Sequence, residues 1–349
     1  LLGRAAALRA MLAARRGNTT DAVHQAKQAL AVIPVAEASR ADALYTLGLA
    51  QQQEGKLAEA LQAYTAAAKR GEAGQDSFLA IAARYHAGRV LAAEGHLRRA
   101  ATKYQQILTI GTQSKKQLPV VGLAHIGLGE ILYQWNDVAA AARQVDMGLV
   151  LNPRRDLTYT DGPLHRFSIL ARIRQAMGDR ESALAAVELA KDTARQTGIA
   201  IDIERAAALE AIIRLRIDEE TPANQWAERY AHTRTDAERL SYLREFETLV
   251  YVRVLLAQGR GADVLTFLAQ WLPIVEAAQR RGSVLEIRLL QMLAFRLDSQ
   301  VEAARRLLAQ CLALAKAENY VRLFRDEGEP MQRAIRDVVS WLGMSPDAE

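Results

Sequence analysis

Charged and aromatic residues recur at one position of the sequence, where they could bind a polar ligand. Arg89, Glu130 and Arg172 each follow a small residue directly and lie roughly 40 residues apart. Tyr45 and Tyr85 stand about one helical turn before the same position. A guanidinium donates forked hydrogen bonds, and a tyrosine ring presents a flat, partly apolar face. The pattern predicts a site for a polar ligand, unless the charges only pair with one another between neighbouring elements.

Further residues extend this candidate site. Other copies of the position carry Leu49, Ile212, Arg253 and Leu293. Tyr133 comes one turn after Glu130. Trp135, two residues after Tyr133, is expected to pack between repeats. The predicted ligand-binding residues are Tyr45, Tyr85, Arg89, Glu130, Tyr133, Arg172, His165 and Arg253.

Motifs for catalysis, nucleotide binding and metal binding are missing from the sequence. There is no G-x-x-x-x-G-K-[ST] loop for ATP, no H-E-x-x-H pair for zinc and no G-x-S-x-G turn for a serine nucleophile. The six histidines form no cluster with the single cysteine, Cys311. Cys311 lies in an apolar helical run and is predicted to be a buried thiol. The sequence therefore predicts a binding protein that is not an enzyme and that holds no metal or cofactor.

The elements that position these residues form a repeat. Small residues recur about every 40 residues, and each is predicted to lie in the second helix of a helical pair. They are Ala22, Ala60, Ala100, Ala141, Ala183, Ala223, Val264 and Ala304. The pattern resembles the tetratricopeptide repeat (TPR), in which a helix, a tight turn and a second helix make a unit of about 34 residues. The sequence therefore predicts an all-α, right-handed superhelix of about eight TPR-like repeats.

The turn within each repeat is predicted from the residue that stands five positions before the small residue. The predicted structural turns are Gly17, Gly55, Gly95, Asn136 and Gly178. Glycine has no steric penalty at positive φ, and asparagine is the usual substitute there. Asp137 is expected to cap the helix that follows Asn136. In copies six to eight the pattern is weaker, and the last turn falls on either Asp298 or Ser299.

The copies are longer than the usual TPR unit, and their surplus residues are polar. The segments 70–77, 111–119 and 152–163 are rich in Gly, Ser, Asn, Asp, Gln and Lys or Arg. These residue types favour turns over helix interiors. We expect the surplus to form loops between repeats.

Composition and charge favour a globular protein without a nucleic-acid or membrane surface. Half of the 349 residues are hydrophobic, so the chain can bury a large core. Its 45 basic and 40 acidic residues give a net charge of +5 without a basic block, which favours a solvated surface over direct contact with nucleic acid. One cysteine fits a reducing compartment, and no apolar run is long enough for a membrane span. A cytoplasmic location is therefore predicted.

Four segments together resemble the repeat region of the MalT-type, large ATP-binding activators of the LuxR family. They are GLAHIGLGEILYQWNDVAAAARQVDMGL at 122–149, LSYLREFETLVYVRVLLAQGR at 240–260, RRGSVLEIRLLQMLAF at 280–295 and ENYVRLFRDEGEPM at 318–331. The resemblance implies a bacterial transcriptional regulator. Its other parts would be an N-terminal nucleotide-binding switch module, a winged-helix region and a C-terminal helix-turn-helix domain. ATP is then expected only in the N-terminal module, outside this chain.

The same resemblance implies a division of the chain. Residues 1–318 would form the superhelical sensor domain, and residues 319–349 a capping segment that leads to a DNA-binding domain outside this chain. The first residues, LLGRAAALRA, lack an initiator methionine and begin within a helical pattern. We therefore expect the chain to be part of a longer protein.

Two functions remain open at this point. In the first, the concave groove binds a small molecule or a protein effector and controls activation and self-association of the parent regulator. In the second, the chain is an interaction scaffold that takes a peptide or helix, from another protein or from the parent's own switch module, without a small-molecule ligand. The identity of the inducer does not follow from the residues.

Overall fold

Helices account for the regular structure of the described chain. A computed structural model describes residues 2–34, 37, 39–113, 119–151 and 164–343. Within these ranges the regular elements are α-helices and a short 3₁₀ turn, and no strand occurs. None of the described helices is both long and apolar enough to span a bilayer. The prediction of an all-α fold is confirmed.

Eight helix pairs make up the array in the described ranges. In chain order the elements are α1 Leu2–Arg15, α2 Thr19–Val32, α3 Ser39–Gln53, α4 Leu57–Ala73, α5 Ser77–Ala93, α6 Leu97–Gln113, α7 Val121–Gln134, α8 Val138–Leu151, α9 Leu164–Ala176, α10 Arg180–Thr197, α11 Ala200–Arg216, α12 Glu220–Thr233, α13 Asp236–Arg239, the 3₁₀ turn η1 Tyr242–Arg244, α14 Glu245–Ala257, α15 Gly261–Ala277, α16 Arg281–Leu297, α17 Val301–Lys316, α18 Arg322–Arg325 and α19 Gly328–Trp341. The short α13 and η1 separate the sixth pair from the seventh, and α18 and α19 follow the eighth.

Each predicted small residue is the fourth residue of the second helix of its pair. All eight are buried in the core. The helices of a pair also approach closely, because a Cβ on Gly48 would lie 2.9 Å from the Tyr64 ring and a Cβ on Gly88 would lie 2.6 Å from the Tyr104 ring. The spacing seen in the sequence is therefore the spacing of the core.

The turn residue has a left-handed backbone in all eight repeats. These residues are Gly17, Gly55, Gly95, Asn136, Gly178, Asp218, Gly259 and Ser299. Asn136 has φ +67°, and the Oδ1 atom of Asp137 accepts a hydrogen bond from the main-chain N–H of Ala140 at 3.0 Å. The repeat thus stays in register through the later copies, where Ser299 and not Asp298 takes the turn conformation.

The surplus residues do not all form loops. Helix α4 continues to Ala73, so only residues 74–76 separate it from α5, and the predicted loop over 70–77 is wrong in its first half. A Cβ on Gly71 would lie 3.0 Å from the main-chain nitrogen of Ala80, which shows that this added turn of helix packs against α5. Helix α6 likewise covers 111–113. The predicted loop over 152–163 lies outside the described residues.

The array closes on itself along a seam, where early repeats meet late ones. We define the seam by the turns of repeats one to four on one side and residues 242–243, 281–282 and 318–322 on the other. A Cβ on Gly17 would lie 3.5 Å from the Leu243 side chain, and one on Gly55 would lie 3.0 Å from Cβ of Tyr242. The first and second repeats therefore touch the segment that precedes the seventh helix pair.

The third and fourth turns meet elements still further along the chain. A Cβ on Gly95 would lie 3.2 Å from Cβ of Arg281. At the fourth turn, the Nε1 atom of Trp135 donates a hydrogen bond to the carbonyl oxygen of Glu318 at 2.9 Å. The main-chain N–H of Val321 donates to the carbonyl oxygen of Gln134, also at 2.9 Å. Trp135 thus packs against the core of repeats two to four and also binds the C-terminal segment through its indole N–H.

Candidate functional site

The superhelix contains an open cavity of about 660 Å³, which lies within the size range of small-molecule sites. One wall comes from the first helices of repeats two to seven. Its residues include Leu49, Arg89, Glu130, Arg172, Ile212 and Arg253. These are six of the seven positions that the repeat pattern assigned to the groove, so the pattern located this wall.

The predicted tyrosines do not line the cavity. Tyr45, Tyr85 and Tyr133 are buried in the core, with at most 3% of each residue exposed. The Tyr45 ring packs against Tyr64 with 5.6 Å between centroids, and Tyr85 packs against Tyr104 at 5.8 Å. At these two positions the ring faces the second helix of its own repeat, whereas Ser168 and Leu249, at the corresponding position of later repeats, line the cavity. The placement of Tyr45, Tyr85 and Tyr133 on the groove wall is therefore wrong.

Glu130 and His165 form a contact pair in the cavity wall. The Oε2 atom of Glu130 lies 3.3 Å from Nε2 of His165. Burial disfavours the charge on Glu130, yet His165 together with Arg89 and Arg172 lowers its pKa to about 2. Burial and the charge of Arg89 lower the pKa of His165. At neutral pH the pair therefore consists of a carboxylate and a neutral imidazole.

Arg172 belongs to a second cluster, centred on Asp326. The Oδ2 atom of Asp326 lies 3.6 Å from Nη2 of Arg172 and 3.5 Å from Nη1 of Arg216. Its Oδ1 atom lies 2.5 Å from Nη2 of Arg322. The Tyr133 hydroxyl donates to the same carboxylate at 2.8 Å. Burial raises the pKa of Asp326, but these arginines outweigh burial and hold it below its usual value.

The ring of Tyr133 contacts two arginines of this cluster. The guanidinium carbon of Arg172 lies 5.0 Å from the centroid of the Tyr133 ring, and that of Arg322 lies 4.9 Å from it. Such contacts attract a cation to the ring face. Tyr133 therefore positions charged groups of the cavity without being exposed to it.

Arg253 is held by a third set of carboxylates. Its Nη2 atom donates to Oε1 of Glu286 at 2.7 Å, and its Nε atom donates to Oε1 of Glu327 at 2.9 Å. Glu327 keeps only 7% of its side chain exposed. Arg172 and Arg253 thus each contact a carboxylate from the end of the chain, Asp326 and Glu327 respectively.

Another part of the cavity lining comes from the segment around η1. Tyr242, Leu243 and Glu245 line it, and Nη2 of Arg205 donates to the carbonyl oxygen of Leu243 at 2.9 Å. Burial raises the pKa of Glu245 to about 7, although Arg280 pairs with it. Repeat spacing did not indicate these residues, because this segment interrupts the pattern between two helix pairs.

Asp326 and Glu327 were also missed by the sequence analysis. They lie in the segment ENYVRLFRDEGEPM, which carried the family resemblance but falls after the last repeat. Each pairs with arginines from a helix far away in the sequence. The sequence shows that these residues are acidic. Their position inside the superhelix depends on the pitch and curvature of the whole array, which the sequence pattern does not give.

The chain is similar in sequence to a known family and to one of its members. A family model described as the MalT-like TPR region matches residues 3–340. The chain is also 24% identical over 353 residues to the HTH-type transcriptional regulator MalT of Serratia proteamaculans strain 568. That alignment covers 98% of this chain and 38% of the relative, so the chain spans well under half of the relative's length.

Two solved structures share the fold. A Rap protein complexed with competence and sporulation factor has a TM-score of 0.55 at 11% identity, with 98% of this chain and 97% of that chain covered. The Rap conjugation gene regulator of plasmid pLS20, in complex with the Phr* peptide, has a TM-score of 0.51 at 17% identity, with 87% and 75% covered. At these identities the likeness concerns the fold alone.

Proposed function

The chain belongs to the family of MalT-like TPR regions, and on that premise we propose that it is the effector-sensing domain of a transcriptional regulator. A small molecule or protein effector occupies the cavity, and its different affinity for two states of the parent protein shifts the balance between them. Control of self-association and of transcription belongs to the same proposal, because the chain spans 38% of its MalT relative.

The observation that carries the proposal is a cavity lined by charged groups from repeats that are distant in the sequence. Arg89, Glu130 and Arg172 line the cavity from repeats three to five, and Tyr242, Leu243 and Glu245 line it from the segment before and at the start of α14. An occupant that touches both sets of residues ties early and late repeats together. Its binding energy therefore depends on the curvature of the superhelix, which is the property a sensor domain needs.

The charged wall residues support a polar ligand. The Glu130 carboxylate and the neutral His165 imidazole offer an acceptor and a group that can donate or accept, while Arg89 supplies a cation. Apolar residues such as Leu49 and Ile212 complete the lining. Mixed apolar and polar lining is the usual composition of small-molecule sites.

The test is a thermal-shift screen of the chain against sugars, other polar metabolites and short peptides, followed by calorimetry of any hit. Arg89→Ala removes a wall charge, and Ser168→Phe narrows the cavity without removing a charge. We expect both variants to weaken a genuine effector at least about tenfold. Arg180→Ala and Ser340→Phe change exposed positions and serve as matched controls. A hit whose affinity is the same in all four variants would place its site elsewhere.

The scaffold interpretation is the second candidate. It is favoured by the shared fold with two Rap structures, whose partners are competence and sporulation factor and the Phr* peptide. Under this interpretation the cavity takes a peptide segment, and a protein partner is captured without any small molecule. Loss of that capture in Ser168→Phe but not in Ser340→Phe would support a peptide as the occupant.

A further inference from the structure

The C-terminal end of the array lies against the cavity and fills part of the superhelix with its own acidic residues. We call residues 318–327 the strap. Two of its three carboxylates, Asp326 and Glu327, line the cavity, and both side chains are at least nine-tenths buried. The strap thus places two consecutive carboxylates on the arginines that a ligand in this cavity would meet.

We propose that the strap is an intramolecular stand-in for the effector, and that the effector carries a pair of carboxylates that replaces Asp326 and Glu327 at Arg172, Arg216 and Arg253. This inference rests on the proposed function, since it names the chemistry of the occupant of that cavity. Two sources share the chemistry: a free dicarboxylate and a peptide with adjacent acidic residues.

The cluster on Asp326 leaves hydrogen-bonding capacity unused. The Nε atoms of Arg216 and Arg322 are buried and have no hydrogen-bond partner among the residues that the structure describes. Asp326 reaches Arg172 and Arg216 only at 3.6 and 3.5 Å, beyond the usual length of a charged hydrogen bond. A carboxylate that is not tethered to the chain can approach these guanidinium groups more closely and make paired hydrogen bonds.

The exchange is close to balanced in free energy. A buried ion pair gains about as much from attraction as it loses in hydration, so the strap carboxylates hold their places with a small net advantage. When an external pair of carboxylates takes over the arginines, Asp326 and Glu327 return to water and regain their hydration. What the effector must overcome is the effective concentration of the tethered strap, which is of millimolar order for a short connection.

Displacement of the strap has a defined structural consequence. The strap ends at Glu327, and Gly328 begins α19 directly after it. The strap also holds the fourth turn through Trp135 and Gln134. An acidic effector would therefore release both the seam at the fourth repeat and the beginning of α19 in one step.

The experiment compares the wild-type chain with the double variant Asp326→Asn, Glu327→Gln. The probe is the acetylated, amidated tetrapeptide RDEG, which has the sequence of residues 325–328, and its uncharged counterpart RNQG. Calorimetry is expected to show RDEG binding the double variant at least about tenfold more tightly than the wild type, with no such gain for RNQG. Equal affinity of RDEG for both proteins would overturn the proposal.

Two further variants separate the effect of the strap from a folding defect in the double variant. Tyr133→Phe removes one hydrogen bond to Asp326 while keeping the ring, and it is expected to raise RDEG affinity by a smaller factor, about threefold or more. Asp337→Asn removes a carboxylate of α19 that pairs with Arg296 of α16 and Arg305 of α17, outside the cavity lining. A gain of RDEG affinity in Asp337→Asn equal to that in Tyr133→Phe would contradict a role of the strap.

A glutarate titration separates the two sources of the chemistry. The same gain with glutarate supports a free dicarboxylate, and a gain with RDEG alone supports an acidic peptide. The strap exchange and the sensor function can fail separately. An effector that Ser168→Phe excludes but that binds wild type and double variant equally well would keep the sensor function and refute the strap exchange.

Discussion

The turns of repeats one to four and those of repeats five to eight have the same backbone but different surroundings. All eight turn residues have positive φ. The first four are buried or half-buried at the seam, whereas Gly178, Asp218, Gly259 and Ser299 are exposed. A Cβ on Gly178 or Gly259 would meet no described atom within 4 Å. In repeats five to eight the motif therefore only forms the turn. In repeats one to four it forms the turn and also makes a long-range contact at the seam.

The difference explains which residue types occur at the turns. At exposed turns the requirement is positive φ alone, and Asp218 and Ser299 fulfil it with side chains in solvent. At Gly55 the backbone must also admit Tyr242, so a side chain is excluded by space. Asn136 is the seam turn that carries a side chain, and its Oδ1 atom faces Nη1 of Arg322 at 3.4 Å.

The largest effect should come from Asp326→Asn, which removes the charge that anchors the strap to the fourth repeat. Three arginines and Tyr133 converge on this buried carboxylate. Loss of one partner from a buried ion cluster costs about 3–5 kcal/mol in the free energy of unfolding. Urea denaturation at pH 7 measures this loss. Asp218→Asn at an exposed turn is the control and should stay within about 0.5 kcal/mol of wild type.

The pH dependence of that difference tests its electrostatic origin. The pKa of Asp326 is held below its usual value in the folded state, so its stabilising contribution is present above the unfolded pKa of about 3.9 and is lost as pH falls through the folded value. The gap between wild type and Asp326→Asn should therefore narrow as pH falls below about 4. A gap that stays constant down to pH 2 would indicate a packing effect.

The next largest effect should separate Gly55→Ala from Gly178→Ala. Both variants place a non-glycine residue at positive φ, which costs about 1–2 kcal/mol. Gly55→Ala also forces a Cβ to within 3.0 Å of Tyr242, and overpacking adds about 1–3 kcal/mol. Equal losses in the two variants, measured by urea denaturation, would show that the seam has no steric requirement at the second turn.

A smaller effect is expected for Trp135→Phe, which keeps an aromatic ring but removes the donor to Glu318. The lost hydrogen bond should lower the free energy of unfolding by about 0.5–1.5 kcal/mol. Hydrogen exchange should become faster in the strap before it does elsewhere. Trp341→Phe, at a residue that is 43% exposed, should change neither quantity.

The smallest effect is expected for Asn136→Gly. Glycine relieves the positive φ, and the variant gives up a contact with Arg322 that is long for a hydrogen bond. These changes oppose each other, so stability should stay within about 0.5 kcal/mol of wild type. A loss above 1 kcal/mol would mean that the Asn136 side chain, and not its backbone, is what the seam uses at this turn.

Local features of the fold could be predicted from the sequence, and features that depend on the pitch of the superhelix could not. The burial of a small residue such as Ala60 and the turn conformation of a residue such as Gly55 are determined within one repeat, so the spacing alone located them. The groove positions of Arg89 and Glu130 followed from the same register. The Tyr45 placement failed because a periodicity gives the spacing of helix faces but not which face meets the partner helix. The strap contacts join residues about 190 positions apart, and no local pattern encodes them.

Closure along the seam also fixes how many repeats this domain can have. In an open solenoid each unit contacts only its neighbours, so a unit can be gained or lost at modest cost. Here the second turn must arrive at Tyr242 and the fourth at Glu318 after one circuit of the array. Duplication of a single repeat would move every seam residue past its partner and leave the strap carboxylates facing the wrong arginines. The domain length is therefore set as in a ring, by the need for its two ends to meet.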